Sequence, residues 1–305
     1  MRFPFLLLLP GSLAGYTIVC RDGTGTSRIE AAIQEAKKMA INARDKIADL
    51  TLDTTAAAFT PLFKPRDVGT LTILYNRVAN VATNPLQITF YCDPTFVDWS
   101  DPFQRWIDTG FTYTTKDGST KSVTLYKIGR DQSKNPAAKG SFTTLGYKLD
   151  LANGDVADFS NQAHISVSKN RWDPPTGDGY DHRSLDQVNQ DGLLDHYTAL
   201  DQLKSLSHTV FHELMHAVGG TVAPNSGMKK ITDAAILPAV LGQIYGYKQC
   251  VEANRVFLGD GPLQRADCPT ILAKALYLQV KGKPTYWSTG TVDKNTLKPA
   301  GLPPP

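Results

Sequence analysis

Apolar residues between positions 27 and 50 recur in alternating steps of four and three, which is the spacing of one face of an α-helix. The repeating positions are Ile29, Ile33, Ala36, Ala40, Ala43, Ile47 and Leu50. Ser27 and Glu30 have the spacing of a capping box, so we predict that the helix begins there. The folded part of the chain therefore starts with a long amphipathic helix that buries one stripe of side chains.

Four further segments show helical periodicity, and other segments have the features of strands. The helices are predicted at about Val68–Val81, Tyr197–Gly219, about Lys248–Leu258 and Pro269–Lys281. Leu86–Cys92 is a predicted strand because β-branched and aromatic residues cluster there, and His164–Ser168 because apolar and polar residues alternate. A hairpin is predicted from Phe111–Thr114 and Ser122–Tyr126 around the turn Lys116–Ser119.

Two polar segments lack such periodicity. Six aspartates lie between positions 173 and 195, at Asp173, Asp178, Asp181, Asp186, Asp191 and Asp195. Their spacing does not fit an EF-hand loop, so we interpret the segment as a solvated surface loop rather than a calcium site. Residues 298–305 are rich in proline and have nothing to pack against, which predicts a disordered tail.

The first fourteen residues have the pattern of a signal peptide. Arg2 precedes the apolar run Phe3–Leu9, and the small residues Ser12 and Ala14 suit a cleavage site before Gly15. The run has about half of the roughly 20 residues that a membrane span needs, and no later segment reaches that length. We therefore expect a secreted, extracellular protein without a membrane partner, whose domain covers residues 15–297.

Cysteine usage agrees with an oxidising compartment. The four cysteines, Cys20, Cys92, Cys250 and Cys268, all lie after the predicted cleavage site. Three pairings are possible, and sequence proximity favours Cys250 with Cys268, leaving Cys20 for Cys92. Because none of them has Cys-x-x-Cys spacing, a structural zinc site built from cysteines is not expected.

Composition narrows the class of protein further. With 41% hydrophobic and 20% charged residues, the 305-residue chain is neither disordered nor a repeat of the collagen type. A formal net charge of +3 is too small for a nucleic-acid partner. We expect a monomer with one domain, helical to about residue 85 and carrying its chemistry between residues 86 and 297.

One segment carries a recognisable catalytic pattern, His-Glu-x-x-His at His212–His216. Residues four apart lie on the same face of a helix, so both imidazoles can bind one Zn²⁺. Glu213 is too far round the helix to complete the ligand pair, but it can reach a water on the metal and act as general base. The apolar residues of the helix cluster on the opposite side, at Leu203, Leu206, Val210, Phe211, Leu214 and Val218.

The third zinc ligand is not fixed by this motif alone. A metzincin would have a third histidine six residues after His216, where this chain has Val222, so that class is excluded. A gluzincin would use a downstream glutamate, and the first one is Glu252. An aspzincin would use the aspartate of a Gly-Thr-x-Asp-x-x-Tyr-Gly motif.

The chain resembles the fungal deuterolysin-type aspzincins, nearest their lysine-specific metalloendopeptidase branch. The run His212–His216 followed by Gly219–Thr221 is similar to their active-site helix and its exit. Tyr245-Gly246 resembles the end of their aspartate motif, and Ala266-Asp267 resembles a later Asn-Ala-Asp motif with Arg265 in place of asparagine. The resemblance implies an N-terminal disulfide between Cys20 and Cys92.

The resemblance also implies roles for individual residues. His212 and His216 would be zinc ligands, Glu213 the general base, and Tyr245 a hydrogen-bond donor to the oxyanion of the tetrahedral intermediate. Asp267 would line the pocket for the side chain after the scissile bond, where the lysine-specific members bind lysine. The aromatic residues that follow this aspartate in the family are replaced here by Pro269-Thr270-Ile271, which weakens a prediction of lysine specificity.

The main departure lies at the third ligand. Three residues before Tyr245, where the family has its ligand aspartate, this chain has Gly242. The segment from Thr221 to Tyr245 is also longer than in the family, so an insertion could displace the ligand to Asp233, which we choose. Glu252 and Asp267 are the alternatives.

These patterns together predict an α+β, zincin-like fold that is helix-rich and has a small antiparallel sheet. We expect a secreted zinc endopeptidase that acts on proteins or peptides, with the substrate extended along an edge strand near His164–Ser168. The alternative is a catalytically inactive zincin-fold protein that binds zinc or another protein. A third possibility is a structural secreted protein whose histidines bind no metal.

Overall fold

The computed structural model describes residues 15–21, 23–51, 53–93, 96–102, 104–114, 118–122, 126–127, 140–150, 156–192, 200–220, 231–233, 245–256, 261–278, 291–292 and 299–300. The predicted signal peptide, Gly242 and most of the predicted tail lie outside these residues. Within them the chain is a mixed α/β structure, in which long helices pack beside a small four-stranded sheet.

The described part of the chain contains eight α-helices. They are α1 (Gly23–Ile47), α2 (Asp53–Phe59), α3 (Val68–Ala79), α4 (Lys169–Trp172), α5 (Leu185–Asp191), α6 (Leu206–Gly220), α7 (Gly246–Val256) and α8 (Asp267–Tyr277). Helices α3, α6, α7 and α8 confirm the predicted ones within a few residues at most ends, although residues 193–199 at the start of the predicted second helix are not described. Short 3₁₀ turns lie at Pro65–Asp67, Leu200–Gln202 and Pro262–Gln264.

Helix α1 is the centre of the helical layer. It packs against α3, α6 and α8, and the six predicted stripe residues within it are buried, at Ile29, Ile33, Ala36, Ala40, Ala43 and Ile47. The predicted start was wrong: α1 begins at Gly23, and the Ser27 hydroxyl donates to the Gly23 carbonyl oxygen inside the helix instead of capping it. Leu50 lies beyond the helix end and is partly buried against the core.

The strands form one main sheet and several small ones. They are β1 (Tyr16–Val19), β2 (Gln87–Tyr91), β3 (Val97–Ser100), β4 (Arg105–Asp108), β5 (Thr112–Thr114), β6 (Thr120–Ser122), β7 (Tyr126–Lys127), β8 (Phe142–Leu145), β9 (Lys148–Asp150), β10 (Val156–Asp158), β11 (Gln162–Ser166), β12 (Thr291–Val292) and β13 (Pro299–Ala300). The main sheet has the order β1-β2-β11-β8, and β3, β4 and β7 form a three-stranded sheet beside it.

The topology of the main sheet corrects two expectations. The sheet is mixed rather than antiparallel, because β1, β2 and β11 run parallel and only β8 runs antiparallel to its neighbour. The predicted strand at His164–Ser168 exists as β11, but it is not an edge strand, since β2 and β8 pair with its two sides. Within the described residues the edge strands are β1 and β8, and β8 pairs only with β11.

Other predicted elements have mixed outcomes. The hairpin is present as β5 and β6, although its second strand begins two residues early. The aspartate-rich segment is not one loop, because Leu185–Asp191 is helical and Asp181 is buried against the Arg183 guanidinium. Pro299–Ala300, in the predicted tail, pairs with Thr291–Val292.

The cysteines form the two pairs that sequence proximity favoured. The Cα atoms of Cys20 and Cys92 lie 5.0 Å apart, and those of Cys250 and Cys268 lie 5.4 Å apart. The first pair joins the end of β1 to the end of β2, and the second joins α7 to α8. Among the described helices, none combines the length and the apolar character needed to cross a membrane.

Candidate metal centre

Helix α6 presents its histidines on the side away from its buried face. Its apolar residues pack into the core with no exposed surface, at Val210, Phe211, Leu214 and Val218. His212 and His216 are one turn apart on the opposite side. The Nε2 atoms of the two imidazoles approach to 3.2 Å, so the helix alone brings two nitrogen ligands together.

Asp233 completes a group of three potential metal ligands. Its Oδ2 lies 3.2 Å from Nε2 of His216, and its Oδ1 lies 3.3 Å from Nε2 of His212. In the described part of the chain, His212, His216 and Asp233 are the one such group of three metal-binding side chains. Glu252, an alternative ligand, lies elsewhere on α7 and pairs with Arg255 at 3.2 Å.

The geometry of these three groups fits a tetrahedral zinc ion. Ligand atoms about 2.0–2.1 Å from a tetrahedral zinc lie about 3.3 Å from each other, which matches the separation of the two Nε2 atoms. Each Nε2 also has one Asp233 oxygen at a similar distance, Oδ1 for His212 and Oδ2 for His216. The Nδ1 atoms of both histidines face hydrogen-bond acceptors, Asp267 Oδ1 at 3.0 Å and Ile231 O at 3.1 Å. Each Nδ1 therefore carries the proton, and the two Nε2 lone pairs face each other. A cation between them would be bound by both. Oδ1 of Asp233 is buried without a hydrogen-bond partner, as expected of a carboxylate oxygen aimed at a metal.

A glycine allows the segment that carries Asp233 to reach the helix. A Cβ atom on Gly219 would lie 2.4 Å from Cδ1 and 3.0 Å from Cβ of Ile231. Because Gly219 has none, Ile231 packs directly on α6 and its carbonyl oxygen orients His216. Thr232 donates its N–H to the Gln264 carbonyl oxygen at 2.8 Å, which holds the segment from its other side.

Asp267 lies behind His212 and also borders the cavity that opens onto the candidate metal centre. Its side chain is buried, and its two oxygens accept hydrogen bonds from His212 Nδ1 and from the Gly246 N–H. His208 Nε2 lies 3.5 Å from the same carboxylate. Burial alone would raise the pKa of Asp267, but the hydrogen bonds from His208 and His212 hold it well below its usual value. Asp267 therefore orients a ligand histidine, and its part in a substrate pocket stays a prediction.

Asp267→Asn is expected to lower zinc affinity by about 10–100-fold, because losing the partner that orients a ligand histidine typically has this effect. Titration with a chromophoric zinc chelator measures it. If Asp267 instead lined a lysine pocket, the variant would keep its zinc affinity and lose only a preference for lysine after the cleaved bond.

Glu213 is positioned by the edge strand. Its side chain is 4% exposed, and its Oε2 accepts a hydrogen bond of 2.8 Å from the hydroxyl of Thr143 on β8. Burial raises the pKa of Glu213, although the nearby histidines His212 and His216 oppose this effect. A buried carboxylate held by one hydroxyl beside the ligand group has the placement of a general base.

Tyr245 covers the site from the outer side. Its ring stacks on His212 with the centroids 5.9 Å apart, and 44% of its surface is exposed. Burial and the neighbouring Asp233 carboxylate raise the pKa of Tyr245 well above its usual value, so the phenol stays a hydrogen-bond donor at neutral pH. Gly246, at φ +85°, then turns the chain so that its N–H reaches Asp267.

Two further residues of the site have no signal in the sequence. Lys274 is fully buried within α8, and its Nζ donates to the carbonyl oxygens of Leu200 and Leu203 at 2.6 and 3.1 Å. Burial lowers the pKa of Lys274 to about 8, against the opposing effect of Asp201 and Asp267. The second residue is Thr143, whose hydroxyl donates to the carboxylate of Glu213. Both were missed because neither a lysine in an apolar helix nor a threonine in a strand belongs to a motif.

A cavity of about 860 Å³ opens onto the candidate metal centre. His212, Glu213, Asp233 and Tyr245 line it on one side, and Ser141, which precedes β8, lines it on another. This volume is in the range of small-molecule and substrate sites. The cavity therefore reaches two of the metal ligands, His212 and Asp233, and the residue just before the edge strand.

Comparison with known proteins adds no further support: the chain matches no protein family, no curated protein and no solved structure.

Proposed function

We propose that the protein is a secreted zinc-dependent endopeptidase. The observation that supports this most is the meeting of His212, His216 and Asp233, although Asp233 comes 17 residues after His216. The two Nε2 atoms lie 3.2 Å apart, and each lies 3.2–3.3 Å from one carboxylate oxygen of Asp233. Glu213 is buried beside this group without belonging to it. A ligand set with a separate carboxylate next to it suits hydrolysis better than zinc storage, which needs no base.

The two histidines and Asp233 would hold the ion. Bound zinc supplies Lewis-acid chemistry, polarising a carbonyl group and lowering the pKa of a water from 15.7 to about 7. Glu213 takes a proton from the attacking water and returns it to the leaving amine. The Thr143 hydroxyl holds the carboxylate of Glu213 in place, and the Tyr245 phenol donates a hydrogen bond to the oxygen that becomes negative.

The edge strand β8 is the proposed docking strand for the substrate. Its outer side has no strand partner among the described residues, and a peptide could add to it by β-augmentation. Thr143 of β8 contacts Glu213, so a peptide on this strand would pass directly beside the base. This replaces the expectation that β11 would serve as the docking strand.

Secretion is part of the same proposal. Two disulfide pairs within the described residues are consistent with an oxidising compartment, in agreement with the apolar pattern of residues 3–9. The substrates would then be extracellular proteins or peptides.

Digestion of a denatured protein by the purified chain tests the proposal, with cleavage sites mapped by mass spectrometry. We expect cleavage that a zinc chelator abolishes and that added zinc restores. One zinc per chain without cleavage would contradict the proposal and favour an inactive zinc- or protein-binding zincin. A purified chain that binds no zinc would favour the structural protein.

A further inference from the structure

A second buried polar cluster lies on the other face of the edge strand. Asp108, the last residue of β4, is completely buried, and both of its carboxylate oxygens lie 3.0–3.1 Å from Nδ1 of His164. The same carboxylate accepts hydrogen bonds from the Thr144 hydroxyl and from the Gly110 N–H, the latter at 2.8 Å. His164 and Thr144 are directly paired residues of β11 and β8. Asp108 therefore connects the side chains of two neighbouring strands.

The imidazole of His164 is held tightly in this cluster. Its ring stacks on Phe111 with centroids 3.9 Å apart, and the rings of Tyr91 and Phe96 contact it edge-on at 5.4 and 5.6 Å. A Cβ atom on Gly110 would lie 2.8 Å from its Cε1 atom. Because the ring cannot move away, His164 is a fixed partner for Asp108 on β11. Asp108 then holds β8 through its hydrogen bond with Thr144.

The neighbouring residue connects this cluster to the base. Successive side chains of a strand point to opposite faces, so Thr144 faces Asp108 while Thr143 faces α6. The Thr143 hydroxyl lies 2.8 Å from Oε2 and 3.1 Å from the backbone oxygen of Glu213. Any shift of β8 at Thr144 moves Thr143 as well, and with it the hydrogen bond that orients the carboxylate of Glu213.

We propose that the buried Asp108–His164 pair is a positioning device for Glu213, acting through Thr144 and Thr143 of the edge strand. The inference rests on the proposed endopeptidase function. A carboxylate buried this completely is costly unless it is fully hydrogen-bonded, and apolar residues could close the space between the sheets without it. What the polar pair adds is a fixed position of β8 across the sheet, which packing of an edge strand alone specifies weakly.

A double-mutant cycle tests the proposal with the zinc-loaded full chain and a short peptide substrate. Thr143→Val and Thr144→Val each remove one hydroxyl and keep a β-branched side chain. Each should lower kcat by about three- to tenfold, the loss of one hydrogen bond, with KM and zinc content unchanged. If Thr144 acts through Thr143, the double variant should match Thr143→Val rather than show the product of both effects.

Two variants and a second measurement complete the test. Thr144→Ser should restore kcat, and Thr109→Val, which removes a hydroxyl bonded to the Phe96 carbonyl oxygen just outside the neighbouring sheet, should leave it unchanged. Hydrogen exchange of the amides of β8 should be faster in Thr144→Val and unaltered in Thr109→Val.

The outcomes separate this inference from the proposed function. An active wild type with multiplicative effects in the double variant, or with unchanged exchange in Thr144→Val, would overturn the positioning role alone. A zinc-loaded wild type that cleaves no peptide would overturn the endopeptidase proposal and this inference with it.

Discussion

Replacing Glu213 by alanine is expected to lower kcat/KM for peptide hydrolysis by about 10²–10⁴-fold, the usual contribution of a general base. The carboxylate is buried and held by the Thr143 hydroxyl beside the ligand group, which is the placement of a base. Because Glu213 is not in the group formed by His212, His216 and Asp233, zinc should remain bound. Loss of activity with retention of metal is the signature of a base rather than a ligand.

The measurement combines steady-state kinetics with zinc content per chain. Glu252→Ala is the matched control, because Glu252 is a glutamate on a nearby helix that pairs with Arg255 and lies outside the ligand group. We expect the control to keep both zinc and activity. A Glu213→Ala variant with substantial activity would rule out the proposed mechanism, and one that lost its zinc would make Glu213 a ligand.

The local parts of the site could be predicted from the sequence because their signals are local. The spacing of His212 and His216 is a property of one helix, and the apolar back of that helix is visible in the same residues. The stripe of α1 was predicted for the same reason. Its start was not, because Ser27 and Glu30 match a capping box by spacing although the helix already runs through them.

One helix, α5, was missed although the sequence contains a signal for it. Ser184 and Gln187 form a true capping box, in which the Gln187 N–H donates to the Ser184 hydroxyl at 3.1 Å. This pattern could have predicted α5 within the aspartate-rich segment. The dense aspartates favoured a loop interpretation, and the shortness of the helix weakened its periodicity.

The order of the strands and the surroundings of Asp267 could not be predicted, because they depend on contacts between distant parts of the chain. The pairing of β8 with β11 makes β8 an edge strand of the main sheet. The alternation of apolar and polar residues along a strand is the same whether that strand lies at the edge or not, so the sequence does not reveal the strand order. The position of Asp267 behind His212 likewise depends on how α6 and α8 pack. Patterns along the sequence contain no information on these arrangements, so the pairing of β8 with β11 and the contact of Asp267 with His212 required the structure.

Asp233→Ala is expected to lower zinc affinity by more than about 100-fold, since losing even an outer partner of a ligand costs 10–100-fold. At a zinc concentration 1,000 times the wild-type dissociation constant, zinc stabilises the wild type by about 4.1 kcal/mol, and a 100-fold weaker variant by only about 1.4 kcal/mol. Thermal unfolding with and without zinc measures this difference. Peptide hydrolysis should be lost together with the metal.

The control for this variant removes a carboxylate from the same cavity without touching the ligands. Asp178 lines the cavity and pairs with His182 at 2.8 Å, so Asp178→Ala should leave the stabilisation by zinc unchanged. If Asp233→Ala kept the zinc affinity of the wild type, the third ligand would have to be Glu252 or Asp267. The first of these would require α7 to move, and the second would require Asp267 to give up its hydrogen bonds to His212 and Gly246. Either change would alter the packing behind α6, which is why the present arrangement favours Asp233.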